Sequence, residues 1–205
     1  MPTAPPAPAP PELVLTVAPE AAAQLLPLFG EGIEVAGREG GSLEEFLNRE
    51  LGIPVAYLRE RVQTAFLDGR AIDDLAAARA ADGATVALSA AMPGLAGAVL
   101  RRGGFYADMR RQISHAAPGA APGVAQIRVT VKLFNLVARE LGRELLARGV
   151  TVPAARLRSL LGRRGPAFWD ACRSAAIDGR PCDGRSAAGR LPAEGAVRLK
   201  VRTGA

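Results

Sequence analysis

The chain has 205 residues, 49% of them apolar and only 4% aromatic, so it suffices for one or two compact units whose cores must be filled by Val, Leu, Ile and Ala. Its only cysteines, Cys172 and Cys182, exclude a disulfide framework and a cysteine-ligated zinc site, and make a reducing cytoplasm the expected compartment. Net charge is +6, yet residues 1–98 hold 6 Arg against 13 acids and residues 99–205 hold 20 Lys and Arg against 7 acids, so the halves have opposite sign.

Residues 1–11 form a Pro/Ala-rich leader, expected to be disordered and lacking the charged and apolar regions of a secretory signal. "ELVLTV" then supplies an opening strand and "GIEVAG" a second. Ser42 and Glu45 have the spacing of a capping box ahead of Leu43, Phe46 and Leu47, and the helix should end near Gly52 and Pro54. Asp68-Gly69 reads as a tight turn after a strand, and "TVAL" as the closing strand. The weakly polar run from Val86 to Leu100 is 15 residues long, shorter than the roughly 20 of a spanning helix, so no membrane span is expected.

Residues 99–125 combine a short helical candidate, "FYADMRRQIS", with "HAAPGAAPG", a linker composition. Beyond them Ile127, Val129, Val131 and Leu133 alternate with Arg128, Thr130 and Lys132, the period of a strand buried on one face. A helix or loop, "NLVARELG", and a strand within "ELLARGVTV" are expected next. Pro153 suits a first helical position, with Leu157, Leu160 and Leu161 on one face of the following helix. "GPAFWDACRS" reads as a further helical stretch that buries Cys172, before a strand ending at Ile177 and a second tight turn at Asp178-Gly179.

The two halves share a grammar. "FLDGRAIDDLAAARAADGATVAL" at 66–88 aligns with "AIDGRPCDGRSAAGRLPAEGAVRL" at 176–199, with 14 positions from Asp68 to Asp82 and 16 from Asp178 to Glu194. Each reads strand, turn, crossing segment, turn, strand, and with the upstream elements the pattern is α+β, a small mixed sheet on a helix.

At these residues the chain resembles the ubiquitin-like β-grasp superfamily, in particular the sulfur carriers that include the small subunit of molybdopterin synthase and the thiazole-synthesis carrier. "VTVKLFNLVARELG" resembles that family's opening strand and helix, and "IDGRPCDG…LPAEGAVRLKV" its late strand, turn and closing strand; "LDGRAID…ADGATVALSAAMPGLAGA" resembles the closing strand and tail. The resemblance implies two tandem β-grasp domains, an acidic one at 12–98 and a basic one at 126–205, joined by a short helical, Pro/Gly linker at 99–125. It also implies a non-enzymatic carrier or adaptor in cofactor biosynthesis, with no catalytic residue, metal or cofactor of its own. The partner implied is an adenylating (E1-like) enzyme or a molybdenum-cofactor enzyme.

Carrier chemistry in that family uses a Gly-Gly terminus, because residues without Cβ thread a narrow channel to become an acyl-adenylate and then a thiocarboxylate. Here the candidate tail is Thr203-Gly204-Ala205, and the first copy's tail position reads Ala96-Gly97-Ala98. A candidate processing site is Gly103-Gly104, which completes a ubiquitin-like Leu-Arg-Arg-Gly-Gly; its plainer reading is a turn between two units. Cleavage there, trimming of Ala205, or use of Gly-Ala itself would each restore a carrier.

In a β-grasp sheet the first and last strands are neighbours, which would gather Arg128, Lys132, Arg198, Lys200 and Arg202 on one face. Such a face is either solvated or a docking surface for an acidic protein or the acidic first half; RNA is the third reading, with little aromatic surface to support it. Residues 42–73 resemble, more weakly, a helix–turn–helix–strand RNA-binding module, but are acidic or neutral where that module is basic. His115 beside "AAPG" reads as a linker residue, Asp73 and Asp74 as a solvated turn, and Cys182 as the more exposed thiol. "GREGGS" at 37–42 lacks the spacing of a phosphate-binding loop.

Overall fold

The computed structural model describes residues 9–90, 102 and 125–204. The first group of elements is β1 (Glu12–Val17), α1 (Pro19–Ala23), α2 (Pro27–Glu31), β2 (Ile33–Arg38), α3 (Leu43–Leu51), α4 (Val55–Glu60), β3 (Thr64–Leu67), β4 (Arg70–Ile72) and β5 (Thr85–Ser89). The second is β6 (Gln126–Phe134), α5 (Asn135–Arg148), β7 (Val150–Pro153), α6 (Ala154–Gly162), α7 (Pro166–Asp170), β8 (Cys172–Ile177), β9 (Arg180–Cys182), α8 (Gly184–Arg190) and β10 (Ala196–Thr203). The protein is α+β. No helix among the described residues is long and apolar enough to cross a membrane.

Two compact units form, and neither is a contiguous half. One, the mid-chain unit, is Ala23–Leu145; the other, the terminal unit, joins Met1–Ala22 to Leu146–Ala205. The expected consecutive domains at 12–98 and 126–205 are corrected by the strand pairing. β1 pairs with β10 and β8 of the second half, and β6 pairs with β2 and β5 of the first. Neither strand is tied to its successor by a tight turn: α1 and α2 separate β1 from β2, and the 14-residue α5 separates β6 from β7. Each is therefore free to pair wherever its apolar face is covered.

In the mid-chain unit the strand order is β4-β3-β5-β6-β2. β6 runs antiparallel to β2, with Val131 opposite Ile33, and parallel to β5, with Val131 opposite Val86. The alternation in β6 buries Ile127, Val129, Val131 and Leu133 on the side where β6 meets α2, and Leu43, Phe46 and Leu47 of α3 are buried where α3 meets β2. The expected capping box starts α3: the Glu45 N–H donates to Ser42 Oγ at 3.1 Å and the Ser42 N–H to Glu45 Oε2 at 2.8 Å. Gly52 ends it in the left-handed region at φ 65.

The helix α5 runs on through "ELLAR", where a strand was expected. Val137, Leu141, Leu145 and Leu146 recur at helical spacing and are all buried, so burial selects the helix and confines the strand to Val150–Pro153. Gly142 lies against Leu26 and Phe29, where a Cβ would come within 2.5 Å of Leu26 Cδ2.

In the terminal unit the order is β7-β10-β1-β8-β9. β1 runs parallel to β10, from Glu12 opposite Arg198 to Val17 opposite Thr203, and antiparallel to β8 with a bulge between Thr16 and Val17. Leu13, Leu15 and Val17 are fully buried, as are Val197 and Leu199, and Leu157, Leu160, Leu161 and Phe168 complete the core. Cys172 opens β8 rather than riding a helix, and it is half-buried.

The repeated Asp-Gly turns form as expected. Asp68-Gly69 (φ 50 and 77) joins β3 to β4, and Asp178-Gly179 (φ 49 and 74) joins β8 to β9. Two successive positive φ values make the type I′ geometry that matches strand twist, which is why Asp and Gly occupy both turns. Residues 1–8 of the leader, the helical candidate at 105–114, His115, Ala96–Ala98, Gly103, Gly104 and Ala205 lie outside the described residues.

Candidate partner-binding site

The exchanged strands redistribute charge. The terminal unit contains 12 Lys and Arg against 6 acids, and the mid-chain unit 14 of each, so the opposed halves of the sequence become one basic and one neutral unit. The five expected cations divide as well. β10 lies between β1 and β7 and β6 between β5 and β2, so no pairing brings Arg128 and Lys132 beside Arg198, Lys200 and Arg202.

β10 sets the geometry on the terminal unit. Alternation sends Val197, Leu199 and Val201 into the core and Arg198, Lys200 and Arg202 to the opposite face, where Arg198 and Arg202 are exposed and Lys200 is half-buried. Arg198 is occupied structurally. Its Nε lies 3.3 Å from Glu12 Oε1, its Nη2 donates to the Arg148 carbonyl at 2.8 Å, and it lies over Gly149, where a Cβ would come within 2.9 Å of Nη2. The Arg148 carbonyl is one of the orphan acceptors at the end of α5, so this cation serves as a helix cap.

Among the described residues Lys200 and Arg202 have no acidic partner. Register places Arg202 opposite Thr16, which in turn faces Ser174, and Lys200 opposite Val14, which faces Ala176. Arg202 thus heads a row that carries two hydroxyls and Lys200 the adjoining row, on the sheet face away from Val197, Leu199 and Val201, a surface suited to acidic groups.

The candidate tail continues this strand. Thr203 is paired with Val17, and the Gly204 N–H donates to the Val17 carbonyl at 3.3 Å. On the mid-chain unit, the Arg128 N–H donates to Asp82 Oδ1 at 2.7 Å. Lys132 is opposite Ala87, which with Phe66, Leu88 and the exposed Phe134 lines an apolar hollow of about 250 Å³.

Arg102, immediately before the candidate processing site, is anchored. Its N–H donates to the Gln63 carbonyl at 2.7 Å, its Nε to the Asp73 carbonyl at 2.9 Å, and its Nη1 to the Leu58 and Val62 carbonyls at 3.0 and 3.1 Å. Leu58 belongs to α4, so the guanidinium satisfies acceptors at and beyond the end of that helix. Burial pushes this guanidinium below its ordinary pKa, with Asp74 and Asp73 acting in the opposite direction. Nothing in the local sequence marked Arg102 as an anchor, because the carbonyls that its guanidinium reaches lie 29 to 44 positions away.

Two further clusters escaped the sequence reading. The buried carboxylate of Glu44 accepts both arms of Arg59, at 2.8 and 2.9 Å, and that bidentate bond holds Glu44 below its ordinary value. Glu140 of α5 pairs with Arg61 and accepts the Tyr57 hydroxyl at 2.6 Å, joining α5 to the α4 region within the mid-chain unit. Asp74 Oδ1 accepts the Ala76 N–H at 2.8 Å, so the Asp73–Asp74 pair shapes a turn. Both cysteines are free and half-buried, and burial raises the Cys172 thiol. Among the described residues no three His, Cys, Asp or Glu side chains are grouped to hold a metal. No family model matches the sequence, and neither a curated protein nor a solved structure matches it.

Proposed function

We propose that this chain is a non-enzymatic adaptor of the sulfur-carrier β-grasp type, which docks an acidic partner on the open face of the terminal unit. The observation that carries this reading is the pair Lys200 and Arg202, which have no acidic partner among the described residues and share a sheet face with Thr16 and Ser174. The β-grasp reading is supported by the order of five strands in each unit, with two parallel strands at the centre and an I′ hairpin at one edge. The partner class follows from the family resemblance: an adenylating (E1-like) enzyme or a molybdenum-cofactor enzyme.

Adaptor is favoured over carrier by the tail. A carrier tail must leave its own sheet to reach an adenylating site, whereas Thr203 and Gly204 are tied to Val17. Binding to a sulfur-carrier adenylating enzyme, measured by calorimetry with and without ATP, tests the proposal. A complex that weakens with salt and with Lys200→Glu, with no mass change on the chain, supports the adaptor. A thiocarboxylate on the chain would establish the carrier instead, and steeply salt-dependent binding to single-stranded RNA alone would replace both.

A further inference from the structure

Each sheet is completed by a strand from the other half of the sequence. Without β6, β5 loses its parallel neighbour and β2 its antiparallel one, so β2 is parted from β4-β3-β5, and the core loses Ile127, Val129, Val131 and Leu133. Without β1 the terminal sheet falls into β7-β10 and β8-β9, and loses Leu13, Leu15 and Val17, all fully buried. In both units the missing strand is central, with a hydrogen-bonded neighbour on each side, so nothing at the sheet edge can substitute for it.

We infer that the two halves of this chain are obligate binding partners for each other, recognising one another by reciprocal strand insertion. A chain cut between residues 104 and 125 remains one two-fragment complex. The fragment ending before the cut supplies β1 through β5, the fragment beyond it β6 through β10, and each holds a slot for one strand of the other. Main-chain bonds supply the attachment and the alternating apolar side chains the register.

Cleavage at the Leu-Arg-Arg-Gly-Gly stretch therefore does not liberate a small carrier. It produces a two-chain protein whose new carboxylate is two residues from the anchored Arg102. Any enzyme acting on that terminus meets the whole assembly.

The test replaces residues 117–122 of the full chain with a site-specific protease sequence, cuts it, and examines the product by size-exclusion chromatography and native mass spectrometry. One species containing both fragments in equal number, separable only in denaturant and re-forming on dilution from it, is the expected result. Fragments that elute apart in native buffer, each retaining its circular dichroism, would overturn the inference, because consecutive domains behave in that way. Should the replacement impair folding, residues 1–116 and 123–205 co-expressed as separate chains give the same readout.

Discussion

Asp178 and Glu12, 166 positions apart, are joined by two hydrogen bonds: the Glu12 N–H donates to Asp178 Oδ1 at 2.8 Å, and the Asp178 N–H donates to the Glu12 carbonyl at 2.9 Å. Asp68 and Thr85 repeat the arrangement at 2.7 and 2.8 Å in the mid-chain unit. The turn aspartate of each repeat thus grips the first residue of the strand beside its hairpin. In one unit that strand is β5, from the same half, and in the other it is β1, from the opposite half.

The grip predicts a matched pair of effects. Asp178→Ala removes an acceptor and places a β-carbon residue without a polar side chain at φ 49, and should cost about 1–2 kcal/mol, whereas Asp178→Asn should cost less than about 0.5 kcal/mol. Asp68→Ala should behave alike. Urea unfolding monitored by circular dichroism provides the comparison.

Gly142 offers a test of close approach against helix propensity. Alanine at an ordinary helical site would stabilise by up to about 1 kcal/mol. Here its Cβ would lie 2.5 Å from Leu26 Cδ2 and 2.9 Å from Phe29 Cε2, so Gly142→Ala should instead destabilise by about 1–3 kcal/mol. A rise in thermal midpoint would refute the packing.

Arg102→Ala leaves the Leu58, Val62 and Asp73 carbonyls without that donor, and should destabilise the mid-chain unit by about 2–3 kcal/mol. Arg102→Lys should recover only part of this, since an ammonium lacks the planar fork that spans several acceptors. Hydrogen exchange at the end of α4 should rise in both variants, more in the alanine.

Stability should depend on pH from both sides. Glu44 is lowered from its ordinary 4.5, first by the hydrogen bond from Arg59, so its contribution is present above that pH and is lost as pH falls through the lowered value. Tyr57 is raised from its ordinary 10.0, first by burial and then by its bond to Glu140, so its contribution is complete below 10.0 and is lost as pH rises beyond it. Glu44→Gln should flatten the acid limb and Tyr57→Phe the alkaline limb in urea titrations across pH.

Lys200→Glu with Arg202→Glu should leave the unfolding midpoint nearly unchanged, because neither side chain has an acidic partner among the described residues. The double variant should weaken binding to an acidic partner at least about tenfold at low salt, with the gap narrowing as ionic strength rises. Arg198→Glu differs in kind: it places a carboxylate beside Glu12 and removes the donor to Arg148, so its effect appears first in stability.

Local structure was legible in the residues. The two Asp-Gly pairs specify I′ turns because few other residues tolerate two positive φ values in succession, and the Ser42–Glu45 spacing specifies a helix start by satisfying its first donors. The alternation in "IRVTVKL" and "VRLKVR" correctly separates buried from open positions on β6 and β10. A period of two names the face a residue occupies and is silent about the neighbouring strand. β1, β5, β6 and β10 are all short apolar alternations, each able to fill a central slot, and that equivalence is why a contiguous reading of the repeat assembled five cations on one face. Tertiary structure decided the pairing. Connections long enough to carry β1 and β6 away from their successors let each strand enter the sheet where its buried side chains met a core, and that choice, made by non-local burial, set Lys200 and Arg202 on a different unit from Arg128 and Lys132.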